Sequence, residues 1–220
     1  TTLSVGSVGL FFSSSDSNTT NITGDITTSE DAADGIRISN SDSNTTNITG
    51  NISTAGLGAE AFFLYTSNRN TTTITGNILT SGDQAPGIYL RGDDFGILDN
   101  SFNTVTMQGD ISTTNTSSSG ISIATGSNDN TISMEGNITT SEVGSDGIEI
   151  IQSSNRNVIT MTGNIVTNAT DGQSTGIFIQ RESDSNTINM TGNISTAGIA
   201  GYGFSIYESD SNTTNITGNI

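Results

Sequence analysis

Asn44-Thr45-Thr46-Asn47-Ile48-Thr49-Gly50-Asn51-Ile52 decides the fold, because Asn18-Thr19-Thr20-Asn21-Ile22-Thr23-Gly24-Asp25-Ile26 precedes it in the same phase, 26 residues earlier. The pattern returns eight times. Its anchor asparagines are Asn18, Asn44, Asn70, Asn103, Asn130, Asn157, Asn186 and Asn212, at steps of 26, 26, 33, 27, 27, 29 and 26 residues. Self-similarity at such a period marks a repeat architecture in which stacked units share one core.

With each anchor counted as zero, position plus four holds Ile22, Ile48, Ile74, Met107, Met134, Met161, Met190 or Ile216, and position plus eight is isoleucine throughout, from Ile26 to Ile220. Polar residues between them give the alternation of half-buried strands. A third strand opens with Gly35-Ile36-Arg37-Ile38 and its counterparts, among them Gly87-Ile88-Tyr89-Leu90 and Gly147-Ile148-Glu149-Ile150, with Ala61-Phe62-Phe63-Leu64 as the variant. Three short strands per repeat, with like residues recurring every turn, predict a parallel β-helix, of right-handed form since the period is far from that of hexapeptide left-handed helices. Eight coils at one strand spacing make a rod of roughly 38 Å.

Glycine at plus six (Gly24, Gly50, Gly76, Gly109, Gly136, Gly163, Gly192, Gly218), followed by Asn or Asp, reads as a corner of positive φ between first and second strands. The anchor asparagines fall at another corner, where stacked amides would bond along the column. Residues 1–220 then form a single solenoid domain without evident caps, and residues 91–102 an inserted loop. Thr1 and Ile220 are in phase with the repeat, which leads to the expectation of head-to-tail axial stacking through the terminal coils, or of excision from a longer solenoid.

Apolar residues make up 30% and aromatics 5% of 220 residues, too few for a thick core but enough for a thin linear one. Twenty-two acidic groups against five arginines give a net charge of −17, which disfavours nucleic acid and anionic membranes and favours divalent cations. No apolar run is long enough to span a bilayer.

Cysteine, histidine and lysine are absent, so carboxylates, Tyr, Ser and Thr are the remaining groups for catalysis, and no constellation beyond the carboxylates of the 91–102 loop suggests an enzyme. That loop departs from the repeat, and insertions on solenoids carry binding functions. Asp93, Asp94 and Asp99, beside Arg91, are the candidate calcium ligands, or the four residues an acid-and-base group acting on a glycan. The bland alternative is a solvated loop with Phe95 and Phe102 tucked against the rod. Arg91-Gly92-Asp93 also spells the integrin-binding tripeptide, a match of little specificity. Other acids gather before the anchors (Asp16, Asp42, Asp184, Asp210) and in the second connection (Glu30, Asp31, Asp34, Asp146, Asp171), where solvated turns are expected; stacked like charges would otherwise need a cation or water between them. Asn44-Thr45-Thr46 and Asn51-Ile52-Ser53 are glycosylation sequons of a kind this composition produces readily.

The outward side of the first strand carries Thr19, Thr45, Thr71, Thr104, Thr131, Thr187 and Thr213 at plus one, and threonine recurs at plus five. This array resembles the ice-binding face of β-solenoid antifreeze proteins, with Val158, Gln108 and Glu135 as interruptions. Threonine is also simply a good strand former.

The Asn-Thr-x-x-Ile-Thr-Gly-Asn-Ile-x-Thr repeat resembles the β-helical passenger regions of bacterial autotransporter-type and other large secreted surface proteins, over nearly the whole chain. The resemblance implies an extracellular or cell-surface stalk, adhesin or matrix fibre. Pectate-lyase-like enzymes share the architecture, but none of their catalytic constellations maps onto these residues. The leading expectation is a noncatalytic structural solenoid whose partner is a second copy of itself; the alternative is a carbohydrate-binding or carbohydrate-cleaving β-helix whose partners are surface glycans.

Overall fold

The computed structural model describes residues 4–93 and 99–220, and every regular element among them is a short β-strand. From its anchor, a coil runs through a five-residue strand (Thr19–Thr23 in the first), a corner, a three-residue strand (Ile26–Thr28), a connection and a four-residue strand (Ile36–Ser39). A turn then leads to the next anchor. Each strand pairs in parallel with its equivalents in neighbouring coils, which gives a first sheet of eight strands, a second of seven and a third of eight. The chain is a parallel β-solenoid of about eight turns, as the repeat predicts.

The register is unbroken. Ile22, Ile48, Ile74, Met107, Met134, Met161, Met190 and Ile216 pair one to the next in a single column. The 33-residue step does not disturb it: Thr71–Thr75 pairs with Thr104–Gln108, and Ile88–Arg91 with Ile121–Ala124. The additional residues follow the third strand and leave the sheets untouched.

The core is a stack of ladders. The plus-eight isoleucines from Ile26 to Ile194 are buried, and the third sheet adds Ile36, Ile38, Phe62, Leu64, Ile88 and Leu90 with their successors. Each such side chain contributes about 1.5–3 kcal/mol. At the first corner, φ runs from 126° at Gly24 to 154° at Gly218. A Cβ there would also run into the carbonyl of the preceding coil's glycine, as at Gly136 against Gly109. Conformation and stacking both exclude a side chain.

A further interior column lies at plus two, where Thr46 and Thr72 give way to Val105, Ile132, Ile159 and Ile188. The apolar spacing of the other columns does not announce it, since half its members are threonine. The Thr46 and Thr72 hydroxyls are buried without a partner, as are those of Thr28, Thr54 and Thr80 further along the coil.

Where the backbone leaves a sheet, side chains add to the axial bonding, beside turn-to-turn backbone bonds such as Ser43 N–H to the Asn68 carbonyl at 2.9 Å. Asn130 is fully buried: its N–H and its Nδ2 donate to Asn157 Oδ1 at 2.9 and 3.1 Å, Nδ2 also donates to the Asn100 carbonyl at 2.8 Å, and its Oδ1 accepts from Asn103 N and Nδ2. The same unit repeats from Asn18 to Asn212. At plus seven a second ladder runs Asp25, Asn51, Asn77, Asp110, Asn137, Asn164, Asn193, Asn219, each side-chain oxygen accepting the next coil's N–H.

Two substitutions check this account. Thr72→Val, which puts into the column the residue already present at 105, is expected to raise stability by about 1 kcal/mol because a buried hydroxyl without a partner is removed at constant shape. Asn130→Ala takes the side-chain partner from two buried backbone groups, Asn103 N–H and the Asn100 carbonyl, and is expected to cost roughly 3 kcal/mol or more. Urea denaturation followed by circular dichroism measures both.

Candidate ligand-binding face

The three sheets present unlike outer faces. The first offers Thr, Ser and Asn; at plus three, Asn21 pairs with Asn47, and Thr73, Thr106, Ser133 and Thr160 follow. The second offers the small series Thr27, Ser53, Leu79, Ser112, Thr139, Val166 and Ser195. The third differs at nearly every coil: Phe11, Arg37, Phe63, Tyr89, Ser122, Glu149, Phe178, Ser205. Aromatic, cationic and acidic groups converge there.

Strand register brings these side chains face to face. The Phe63 and Tyr89 rings stack with centroids 5.0 Å apart and planes at 11°. The Arg37 guanidinium covers the other side of Phe63 at 4.9 Å, a cation–π contact. Where the ladder passes from Tyr89 to Ser122, the drop in side-chain size opens a recess of about 330 Å³, lined by Glu60, Gln84, Pro86, Tyr89, Arg91, Ser122 and Glu149 among others.

Beside this face run buried acids from the connection into the third strand. Asp34 and Glu60 occupy the same position one coil apart, with Glu60 N–H donating to Asp34 Oδ1 at 3.1 Å and Arg37 reaching Asp34 Oδ2 at 3.4 Å. Burial, then the hydrogen bond and charge of Asp34, pushes Glu60 up to about 9. Asp34 is raised by burial in spite of Glu60 and Arg37, which act to lower it. Two carboxyls this close share a proton and titrate as a pair. Three coils on, burial followed by the charge of Glu149 pushes Asp146 up to about 7, against a hydrogen bond from Thr175 N–H. Glu149 is itself raised by burial, although the Ser122 and Ser119 hydroxyls bond to it. The expectation of solvated turns therefore fails at Asp34 and Asp146, both buried, and holds at exposed Asp31 and Asp171. The connection folds inward at the residue preceding the third strand, a position visible only once the register is known.

The acids before the anchors accept backbone N–H groups of the neighbouring coil. Asp16 Oδ1 accepts Asp42 N–H at 2.7 Å, Asp42 Oδ1 accepts Asn68 N–H, and Asp184 Oδ1 accepts Asp210 N–H. Of the calcium candidates, Asp94 lies outside the described residues, as do Thr1, Phe95 and residues 96–98; Asp93 is buried and Asp99 exposed. Among the described residues no three acidic groups converge to hold a metal ion. Phe102 is not tucked against the rod: it is 57% exposed, with Arg69 over its ring at 5.8 Å. Asn44 of the first sequon is buried with its amide engaged in the ladder, whereas Asn51 is exposed.

Sequence reasoning singled out Arg91 as part of the inserted loop, whereas it ends the strand Ile88–Arg91 and lines the recess; Tyr89, Glu60, Ser122 and Glu149 were not singled out as site residues. The available signal was the breakdown of repetition at one position of an otherwise regular strand. No protein family, curated protein or solved structure matched the chain.

The raised acids fix a pH dependence. A carboxyl whose folded pKa lies above its unfolded value contributes stability that is full below the unfolded pKa and is lost as pH rises through the folded one. For Glu60 that window runs from its ordinary 4.5 up to about 9. The protein is expected to lose stability steadily from pH 5 to pH 9, and Glu60→Gln, which keeps a neutral hydrogen-bonding group, is expected to flatten that slope. Urea midpoints of the two proteins at several pH values read the difference; equal slopes would remove the buried pair as its cause.

Proposed function

We propose that the chain is a noncatalytic, extracellular structural protein, a β-solenoid segment or subunit of a surface fibre in which coils continue head to tail. The observation that carries this reading is the unbroken axial bonding: strand pairing and the two asparagine ladders connect each coil to the next by the same contacts from one end to the other. A coil added beyond either end, from the same chain or another copy, would meet the same donors, acceptors and apolar ladder. Leu10, Phe12 and Ile22 at one end, and Ile216 and Phe204 at the other, are only partly buried, so an added coil would cover them. Repetition of one head-to-tail operation yields an open filament rather than a closed oligomer.

A chain without His, Cys or Lys, and with a net charge of −17, suits a soluble, chemically inert rod. The likeness of its repeat to secreted surface proteins supports the extracellular assignment.

Electron microscopy and sedimentation velocity over a rising concentration series test this. Rods longer than a single eight-coil unit of roughly 38 Å are expected, growing with concentration. Ile216→Asp, placed in the last strand of the first sheet, is expected to stop growth while the circular dichroism spectrum is retained. Uniform single-unit rods at every concentration would overturn self-stacking.

A further inference from the structure

On the third sheet's outer face, an aromatic residue is followed one coil later by serine twice, at Tyr89 to Ser122 and at Phe178 to Ser205. Each step coincides with a recess. The first, about 330 Å³, is bordered by Tyr89, Ser122, Gln84, Glu60, Arg91 and Glu149; the second, about 390 Å³, by Phe178, Ser205, Gln173, Asp146, Tyr202 and Tyr207. The correspondence extends beyond the ladder. Strand register gives Tyr89 and Phe178 the same position in their coils, and Glu60 and Asp146 each stand just before the residue that opens a third strand. Gln84 and Gln173 likewise precede the connection residue next to that acid position. Two recesses of matching composition lie three coils apart, about 14 Å along the axis at one strand spacing per coil.

We propose that these recesses are two equivalent subsites for a neutral glycan lying along the rod, each holding a pyranose ring against its aromatic side chain. The composition selects this chemistry. A ring offers an apolar surface to the C–H face of a sugar, while an amide, a carboxyl and, in one recess each, Arg91 or tyrosine hydroxyls supply donors and acceptors at the rim, which is how small-ligand sites combine an apolar wall with a few convergent polar groups. The acidic surface disfavours polyanions, including uronates and nucleic acid. Serine at the back of each recess provides the room that the aromatic ladder elsewhere fills, as Tyr89 does above Phe63. The inference is independent of filament growth, since both subsites belong to one chain.

The test uses the full chain with neutral cello-, xylo-, manno- and β-1,3-gluco-hexasaccharides, followed by NMR titration and calorimetry. At least one hexasaccharide is expected to bind, and to bind at least ten-fold more tightly than its disaccharide because it spans both subsites. Ser122→Phe continues the aromatic ladder and fills the first recess; it is expected to remove that advantage, and Ser122→Phe with Ser205→Phe to abolish binding, with the β-sheet circular dichroism spectrum and a cooperative thermal melt retained. Thr160→Ala, on the first sheet, is expected to bind as the parent does. Should the phenylalanine variants fail to fold, Tyr89→Leu and Phe178→Leu replace them, with the same losses expected. The proposal is overturned if no neutral hexasaccharide binds at millimolar concentration, if the folded double variant binds like the parent, or if only cationic chitosan binds and salt removes it, which would mark general attraction to an acidic surface.

Discussion

Everything in this molecule depends on one constraint: at the corner before the first strand, a backbone N–H leaves sheet pairing and must find an acceptor inside a thin rod. The anchor asparagine solves it because its side chain is both acceptor and donor. Oδ1 takes the N–H of the adjacent coil, and Nδ2 returns to a backbone carbonyl across the turn, as at Asn103 and Asn130. Aspartate could supply the first bond and not the second, and it would bury a charge. Since each asparagine serves its neighbour, a coil out of phase would strand two coils at once. Phase is therefore held tightly while coil length is not, which is why the 33-residue step is accommodated outside the sheets.

How much of this could be read from the sequence follows from the same logic. Columns that admit a single residue type announce themselves: isoleucine at plus eight, glycine at plus six and the anchors are identical in every repeat because geometry allows nothing else. Columns that tolerate variety were silent. The plus-two position is interior, but Thr46 and Val105 fill the same volume, so its polarity pattern misleads. The residue just before each anchor is left-handed in all eight coils, with φ of 55–59°, yet it is Ser17, Arg69, Phe102 or Asp129 by turns. No glycine marks it, because its side chain points away from the stack and the ladder beside it offsets a modest backbone cost. The buried pair of Asp34 and Glu60 was illegible for another reason. Two acids 26 residues apart become neighbours only once the register is assigned.

This contrast also separates structure from function on the outer surface. A solenoid needs its interior and corners to repeat, and its outward positions are under no such demand. The first sheet nevertheless stays close to threonine, serine and asparagine, and the second stays small. On the third sheet, Phe11, Arg37, Phe63, Tyr89, Ser122, Glu149, Phe178 and Ser205 share one backbone environment and differ in charge, size and aromaticity. The fold does not require that variety. Nor does solubility, since aromatic rings on an otherwise polar rod work against it.

The proposed axial growth and lateral binding would use largely separate parts of the same coil, and that separation has an energetic consequence. Bonds along the axis consume mainly backbone groups, anchor asparagines and interior ladders, whereas the aromatic and serine positions of the recesses lie on the outer side of the third sheet; Asp146 serves both, since it borders a recess and accepts Thr175 N–H of the next coil. Lengthening the rod by the proposed stacking would leave each subsite intact and add further pairs along it, three coils apart within a unit and five coils apart across a junction of two eight-coil units. A long glycan engaged at one recess would hold its next segment near the following one at high effective concentration, so avidity would rise by roughly 10²–10⁴ without any new contact. Weak individual recesses, open and partly solvated, are then sufficient. The rigidity that the asparagine ladder imposes sets the spacing on which that gain depends.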